Sequence, residues 1–213
     1  MLYATLTAWG MHRMGEGLTK LREWQQFYDS FTNQSAELNG FRDKQMLCMS
    51  TIKYEEAVSE LRKCYHALNL TEAKATVVVN SKALYHLFPE FIPPIDRQYI
   101  LRFFRPNLKA PPDLPRDKEE QFKLFCETCV KINKLAGELE LDFIRKEAAA
   151  EDVSPLKAID NAIISYVRTR LQKEVYPAKK KKAKIAVRSE VIGNEILWYD
   201  KKGKVLCVCH EKS

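Results

Sequence analysis

Val77-Val78-Val79-Asn80-Ser81-Lys82-Ala83-Leu84-Tyr85-His86-Leu87-Phe88-Pro89 runs directly into Glu90-Phe91-Ile92-Pro93-Pro94-Ile95-Asp96-Arg97-Gln98-Tyr99-Ile100-Leu101-Arg102-Phe103-Phe104. Three prolines divide two apolar segments, and a proline fixes φ and removes an amide donor. The pattern predicts a short helix capped by Asn80 or Ser81, a proline-fixed turn, and a further helix starting at Asp96, since Asn, Ser and Asp are preferred caps.

Helical spacing extends on both sides of this centre. Leu18, Leu21, Trp24, Phe27/Tyr28 and Phe31 recur at three and four, as do Tyr54, Ala57, Leu61, Cys64/Tyr65 and Leu68. Each set predicts one buried helix face. Pro106 to Pro115 holds four prolines in ten residues and reads as a surface loop. Asp117 then caps a long helix expected to reach about Glu147, with Phe122, Phe125, Cys129, Ile132, Leu135/Ala136 and Leu139 inward. Ser154-Pro155 is a helix start, an N-cap followed by proline at the first helical position. Leu156, Ile159, Ile163, Tyr166/Val167 and Leu171 form the stripe behind it.

The character changes after Tyr176-Pro177. Lys179-Lys180-Lys181-Lys182 reads as a basic linker, and residues 185–192, 195–199 and 205–209 are rich in β-branched and aromatic side chains. Asp200-Lys201-Lys202-Gly203 supplies a turn, so an antiparallel hairpin or ribbon is expected. The fold class is therefore mainly α: a helical core over 1–176, a basic linker over 177–184, and a β-ribbon tail over 185–213. No internal repeat is visible.

Charge follows the same division. The net charge is +7, but residues 177–213 carry ten Lys/Arg against four Asp/Glu, which leaves 25 basic and 24 acidic side chains in the body. The body is nearly neutral, so the basic balance alone does not make it a nucleic-acid binder. The lysine run, near Trp198 and Tyr199, could grip DNA or RNA by charge and stacking, or serve as a solubilising linker.

An apolar fraction of 46% with 10% aromatics is ordinary globular composition. No run reaches the roughly 18 apolar residues of a membrane span. The opening residues lack a basic leader and a cleavage site. Helical periodicity begins at Leu2 without a cap, which suggests a chain starting inside a longer first helix; an exposed face left there would favour self-association. Six cysteines without a secretory signal are expected as free thiols, and the cytoplasm fits. Cys126-Glu127-Thr128-Cys129 offers a helical half-site for zinc. Structural zinc takes four ligands in paired clusters, so buried thiols are the expected reading and no metal or cofactor is implied.

The run Ser81 to Pro89 with Pro93-Pro94-Ile95-Asp96-Arg97-Gln98-Tyr99, and the later Ser154-Pro155-Leu156-Lys157-Ala158-Ile159-Asp160-Asn161-Ala162-Ile163, resembles a group of bacterial helical proteins of uncharacterised role. More distantly, the centre is similar to the helix-hairpin-helix superfamily of base-excision DNA glycosylases, where a lysine-bearing helix precedes a Pro-(Val/Ile)-Asp turn. That resemblance implies Asp96 as the catalytic aspartate and Lys82 as the lysine nucleophile, acting on a base flipped from the duplex. A fixed carboxylate would stabilise the positive charge that builds on the sugar. Where the superfamily carries a glycine-rich turn, this chain has Val78-Val79-Asn80-Ser81.

The residues also admit plainer roles. Asp96 can be an N-cap, Lys82 a solvated lysine, and His86 a hydrogen-bonded histidine at the core edge. Arg97, Arg102, Arg105 and Lys109 could line a phosphate path or lie on a solvated helix face. Lys157 and Asp160 can form an i,i+3 ion pair, or face the Asp96 region as a functional pair. No Gly-rich phosphate loop, Ser/His/Asp order or paired-histidine metal motif is present. Three functions remain open: a glycosylase-like enzyme, a nucleic-acid-binding module without catalysis, and an adaptor whose ribbon edge recruits a protein strand or a second copy.

Overall fold

The structure, a computed structural model, describes residues 1–8, 21–105 and 112–171 and the strand segments 188–192, 195–199 and 205–210. Two compact units divide at Leu171/Gln172. The first unit is helical: α1 Leu2–Ala8, α2 Trp24–Thr32, α3 Ser35–Asn39, α4 Thr51–Ser59, α5 Arg62–Ala67, α6 Val77–Leu87, α7 Ile100–Phe103, α8 Lys118–Glu138, α9 Leu141–Ala150 and α10 Pro155–Tyr166. In the second unit, β1 Arg188–Ile192, β2 Glu195–Tyr199 and β3 Val205–His210 pair antiparallel in chain order. Leu18, Lys109 and the lysine run 179–182 lie outside the described residues. No helix among the described residues is long and apolar enough to cross a membrane.

The core of the first unit forms around α6 and α8. α8 packs against α4, α5 and α6, while α10 packs against α7 and α9. Phe122, Phe125, Cys129, Ile132 and Ala136 of α8 are buried, as the helical spacing predicts. Asp117 caps α8, its Oδ1 accepting the Glu120 amide at 3.0 Å. Ser154 caps α10 through the Lys157 amide at 3.2 Å, with Pro155 in the first turn.

Several expectations are corrected. Tyr54, Ala57, Leu61, Cys64, Tyr65 and Leu68 are all buried, but on two helices, α4 and α5, joined by a turn at Glu60-Leu61. The long helix ends at Glu138, because Leu139 and Glu140 are extended, and α9 restarts with Ile144 and Ala148 turned inward. On α2, Phe27 is buried while Trp24 and Tyr28 are half exposed, so the inward face is narrower than the spacing suggests. Leu21 precedes α2 and pairs with Thr71 in an isolated antiparallel bridge.

The centre departs most usefully. α6 begins at Val77, not at a cap on Asn80 or Ser81, and both side chains are buried inside the helix. Asn80 Nδ2 donates to the Tyr65 carbonyl at 3.3 Å. Ser81 Oγ accepts the Ile95 amide at 3.1 Å and faces the carbonyls of Ile95 (3.2 Å) and Val78 (3.1 Å), either of which its proton can serve. The helix expected at Asp96 starts only at Ile100 and lasts one turn.

We predict that Ser81→Ala, which strands the buried Ile95 amide, destabilises the fold by about 1–3 kcal/mol. Urea unfolding should show a lower midpoint at unchanged slope. A midpoint equal to wild type would mean that the hydroxyl does not hold the two segments together.

Candidate functional site

The site grows from the Ser81–Ile95 bond. Because Ser81 grips Ile95, their chain neighbours Lys82 and Asp96 emerge side by side, with Lys82 Nζ 3.8 Å from Asp96 Oδ2. Pro93 and Pro94 are buried just before them and fix the approach of the chain. Asp96 uses its other oxygen locally: Oδ1 accepts the amides of Gln98 at 2.7 Å and Tyr99 at 2.9 Å. One carboxylate therefore does both jobs, ordering the turn with one oxygen and facing a lysine with the other.

α10 supplies the opposite wall. Lys157, Asp160 and Ile164 recur at three and four and share a helix face. Tyr85 on α6 ties this wall to the first, its hydroxyl lying 3.2 Å from Ser154 Oγ at the α10 cap. Lys82, Asp96, Lys157 and Asp160, with Pro94, Tyr99 and Ile164, surround a hollow of about 220 Å³. Arg168 sits over the Tyr99 ring at 5.0 Å and donates to its hydroxyl, fixing the aromatic side of that hollow.

Two lysines and two carboxylates balance each other in formal charge. Lys157 Nζ and Asp160 Oδ2 form a close ion pair. So the i,i+3 pair exists, and it faces the Asp96 region as well. Asp160 is 5% exposed. Its burial raises the carboxyl above the ordinary aspartate value; Lys157 pulls it back down, Asp96 pushes it up and Lys82 lowers it. His86 is lowered by burial first, then by the charges of Lys157 and Lys82, which favours the neutral imidazole.

The other sequence candidates are not gathered here. Arg97 Nε donates to the Pro112 carbonyl at 2.8 Å and its Nη2 lies 3.4 Å from Asp113. Arg105 is exposed and lines a separate shallow cavity with the acids Asp113, Glu120 and Glu127. Arg102, expected on a phosphate path, is withdrawn to 3% exposure because its helix α7 packs on α10. Arg97 and Arg105 thus both lie beside Asp113, while Arg102 is buried. Cys129 is buried, and burial pushes the Cys126 thiol up to about 12. Neither is poised as a thiolate at neutral pH.

The structure joins residues 82, 96, 157 and 160 in one four-charge cluster, where the sequence offers Lys157 and Asp160 beside the Asp96 region only as one of two roles. The available signal was an aspartate inside the apolar stripe of α10, a position where such a residue needs a partner.

Folding raises the Asp160 pKa, so its stabilising contribution is full below the unfolded aspartate pKa and is lost as pH rises through the folded value. Asp160→Asn removes that titration. We predict that wild type loses stability relative to this variant as pH rises above about 4. Urea unfolding across that range tests it, and a wild-type advantage that grows with pH would contradict it.

Comparison with known families, with curated proteins and with solved structures gives no match to this chain.

Proposed function

We propose that the hollow between Lys82–Asp96 and Lys157–Asp160 is a site for cleaving an N-glycosidic bond in nucleic acid, with Asp96 as the reacting carboxylate and Lys82 assisting. The observation that carries this reading is the pairing of Lys82 and Asp96 at the edge of an open hollow. The helix-hairpin-helix glycosylase resemblance supports it, since it assigns a lysine and an aspartate to these same two positions.

The chemistry suits a small site. The hollow lies below the roughly 300–1,000 Å³ of ordinary small-molecule pockets, so it admits one base or sugar and not a large cofactor. As the bond to the base breaks, its electron pair leaves with the base, which takes up a proton from solvent water, and positive charge builds on the sugar. Asp96 Oδ2 would stabilise that charge, while the two amides on Oδ1 hold the carboxylate still. Water then adds to the sugar carbon and passes its proton to Asp96. Lys82 would keep Asp96 aimed into the hollow. As a neutral amine it could instead attack the sugar carbon, forming a covalent intermediate in place of the water adduct.

A second reading is a nucleic-acid-binding module without catalysis. It is favoured by the balanced charge of the hollow and by the service that Asp96 already gives its own turn. In that reading Lys179–Lys182 would carry the binding.

Base release on duplexes carrying uracil, hypoxanthine, oxidised guanine or alkylated adenine separates the two. We predict release by the wild type on at least one substrate, reduced about 10²–10³-fold by Asp96→Asn. Borohydride trapping on abasic DNA, abolished by Lys82→Ala, would assign lysine attack. No release by the wild type on the whole panel, with salt-sensitive binding that survives Asp96→Asn, would replace the enzyme by the binding module.

A further inference from the structure

A second and larger cavity, of about 520 Å³, opens at the N-terminal end of α6, where Thr76 lines it. Arg22, Lys74, Arg116 and Lys118 line it, against the single carboxylate of Glu72. None of these four cations forms an ion pair among the described residues. Glu119, not itself in the lining, pairs with Arg62 and with the lining residue His66, whose Nε2 lies 3.1 Å from it.

The cations are not gathered by chance disposition of a floppy surface. Gln121, 1% exposed, spends its whole amide on the cavity wall. Its Oε1 accepts from Thr76 N at 2.6 Å and Thr76 Oγ1 at 2.8 Å, and its Nε2 donates to the carbonyls of Lys74 (2.8 Å) and Arg116 (3.2 Å). Arg22 is fixed by its own amide, which donates to the Leu70 carbonyl at 2.9 Å beside the Leu21–Thr71 bridge. Three chain segments, distant in sequence, are thus bonded together so that like charges converge.

Donors are left over inside. Arg22 Nε is buried with no hydrogen-bond partner among the described residues. Tyr65 is 2% exposed, and its hydroxyl faces Thr76 without closing a hydrogen bond of normal geometry. Thr76 also marks the start of α6, which has no capping side chain and no acid in its first turn. The first amides of the helix therefore add positive partial charge to the same cavity. Converged cations, unspent buried donors and a helix N-terminus share one complement, an anion with several acceptor oxygens.

We propose that this cavity binds a phosphate group, held by Arg22, Lys74, Arg116 and Lys118, whether carried by a small phosphorylated molecule or by a nucleic-acid strand. The site stands whether or not the smaller hollow is catalytic.

The full chain, isotope-labelled and at low ionic strength, is titrated by NMR with inorganic phosphate, with pyrophosphate and with a short single-stranded oligonucleotide. Saturable shifts of the Thr76 amide and the Arg22 guanidinium are expected with phosphate or pyrophosphate. Binding should weaken about tenfold or more in Arg22→Gln/Lys74→Gln, the loss expected for a charge-assisted bond. Lys53→Gln/Lys146→Gln removes equal charge from exposed positions outside the cavity and should leave binding unchanged. If the oligonucleotide produces the same shifts and is displaced by pyrophosphate, the phosphate belongs to nucleic acid; if it does not, the ligand is a small molecule. Absence of saturable shifts up to tens of millimolar, or equal weakening in both double variants, overturns the site.

Discussion

A hydroxyl with no exposed surface joins the two halves of the site. Ser81 Oγ takes the Ile95 amide and sits against the Ile95 carbonyl. Between them Phe88 and the run Phe91 to Ile95 enter the core, and buried backbone groups must find partners. They do so with few donors to place. Phe91 and Ile92 amides turn back to the Phe88 carbonyl, Tyr54 donates to the Phe91 carbonyl at 2.9 Å, and Pro93 and Pro94 have no amide at all. Ile95 then needs one acceptor, and Ser81 is it. The double proline thus makes burial of an irregular segment possible, and the serine decides where that segment docks. Lys82 and Asp96 are neighbours because Ser81 and Ile95 are.

The cluster that results is costly as a device for stability. Burying a carboxylate and an ammonium loses hydration that their attraction only partly returns, and an apolar pair of similar volume often does as well. Here Asp160 is nearly enclosed, with a second pair across a hollow in place of packed side chains. Folding alone explains neither the hollow nor the doubling of pairs. The proposed reading, in which each lysine holds a carboxylate for a reacting group, would account for both.

Local chemistry was readable from the sequence wherever one residue acts on its own neighbours. Asp117 and Ser154-Pro155 cap the helices they precede, and the spacing of Phe122, Phe125, Cys129 and Ile132 names the inner face of α8. Asn80 and Ser81 were misread as caps because their hydrogen bonds run to Tyr65 and Ile95, fifteen and fourteen residues away. A cap and a long-range clamp use the same residue types, and only the tertiary partner tells them apart. The Lys82–Asp96 pairing could be suspected from the resemblance, whereas the choice between the two roles open to Lys157–Asp160 required the tertiary placement of α10. The phosphate cavity had no sequence signal. Its cations sit at 22, 74, 116 and 118, and the residue that ties two of them together, Lys74 and Arg116, is a glutamine in the first turn of α8.

Helix α6 carries one wall residue of each cavity, and its geometry constrains how they can cooperate. Thr76 and Lys82 are six residues apart, roughly 9 Å along the axis and about 240° around it. They therefore face different sides of the helix, and no small ligand of either cavity's size can touch both. Two routes of coupling remain. A rigid shift of α6 would move Lys82 against Asp96 when an anion draws on Thr76 and the first-turn amides. Alternatively, a polymer that winds around the helix end would place a phosphate in one cavity and a nucleoside in the other. The second route needs no flexibility in a helix pinned by Ser81, Asn80 and the Gln121 clamp. On that ground, if both proposed sites serve one molecule, an extended strand meets the geometry and a shared small ligand does not.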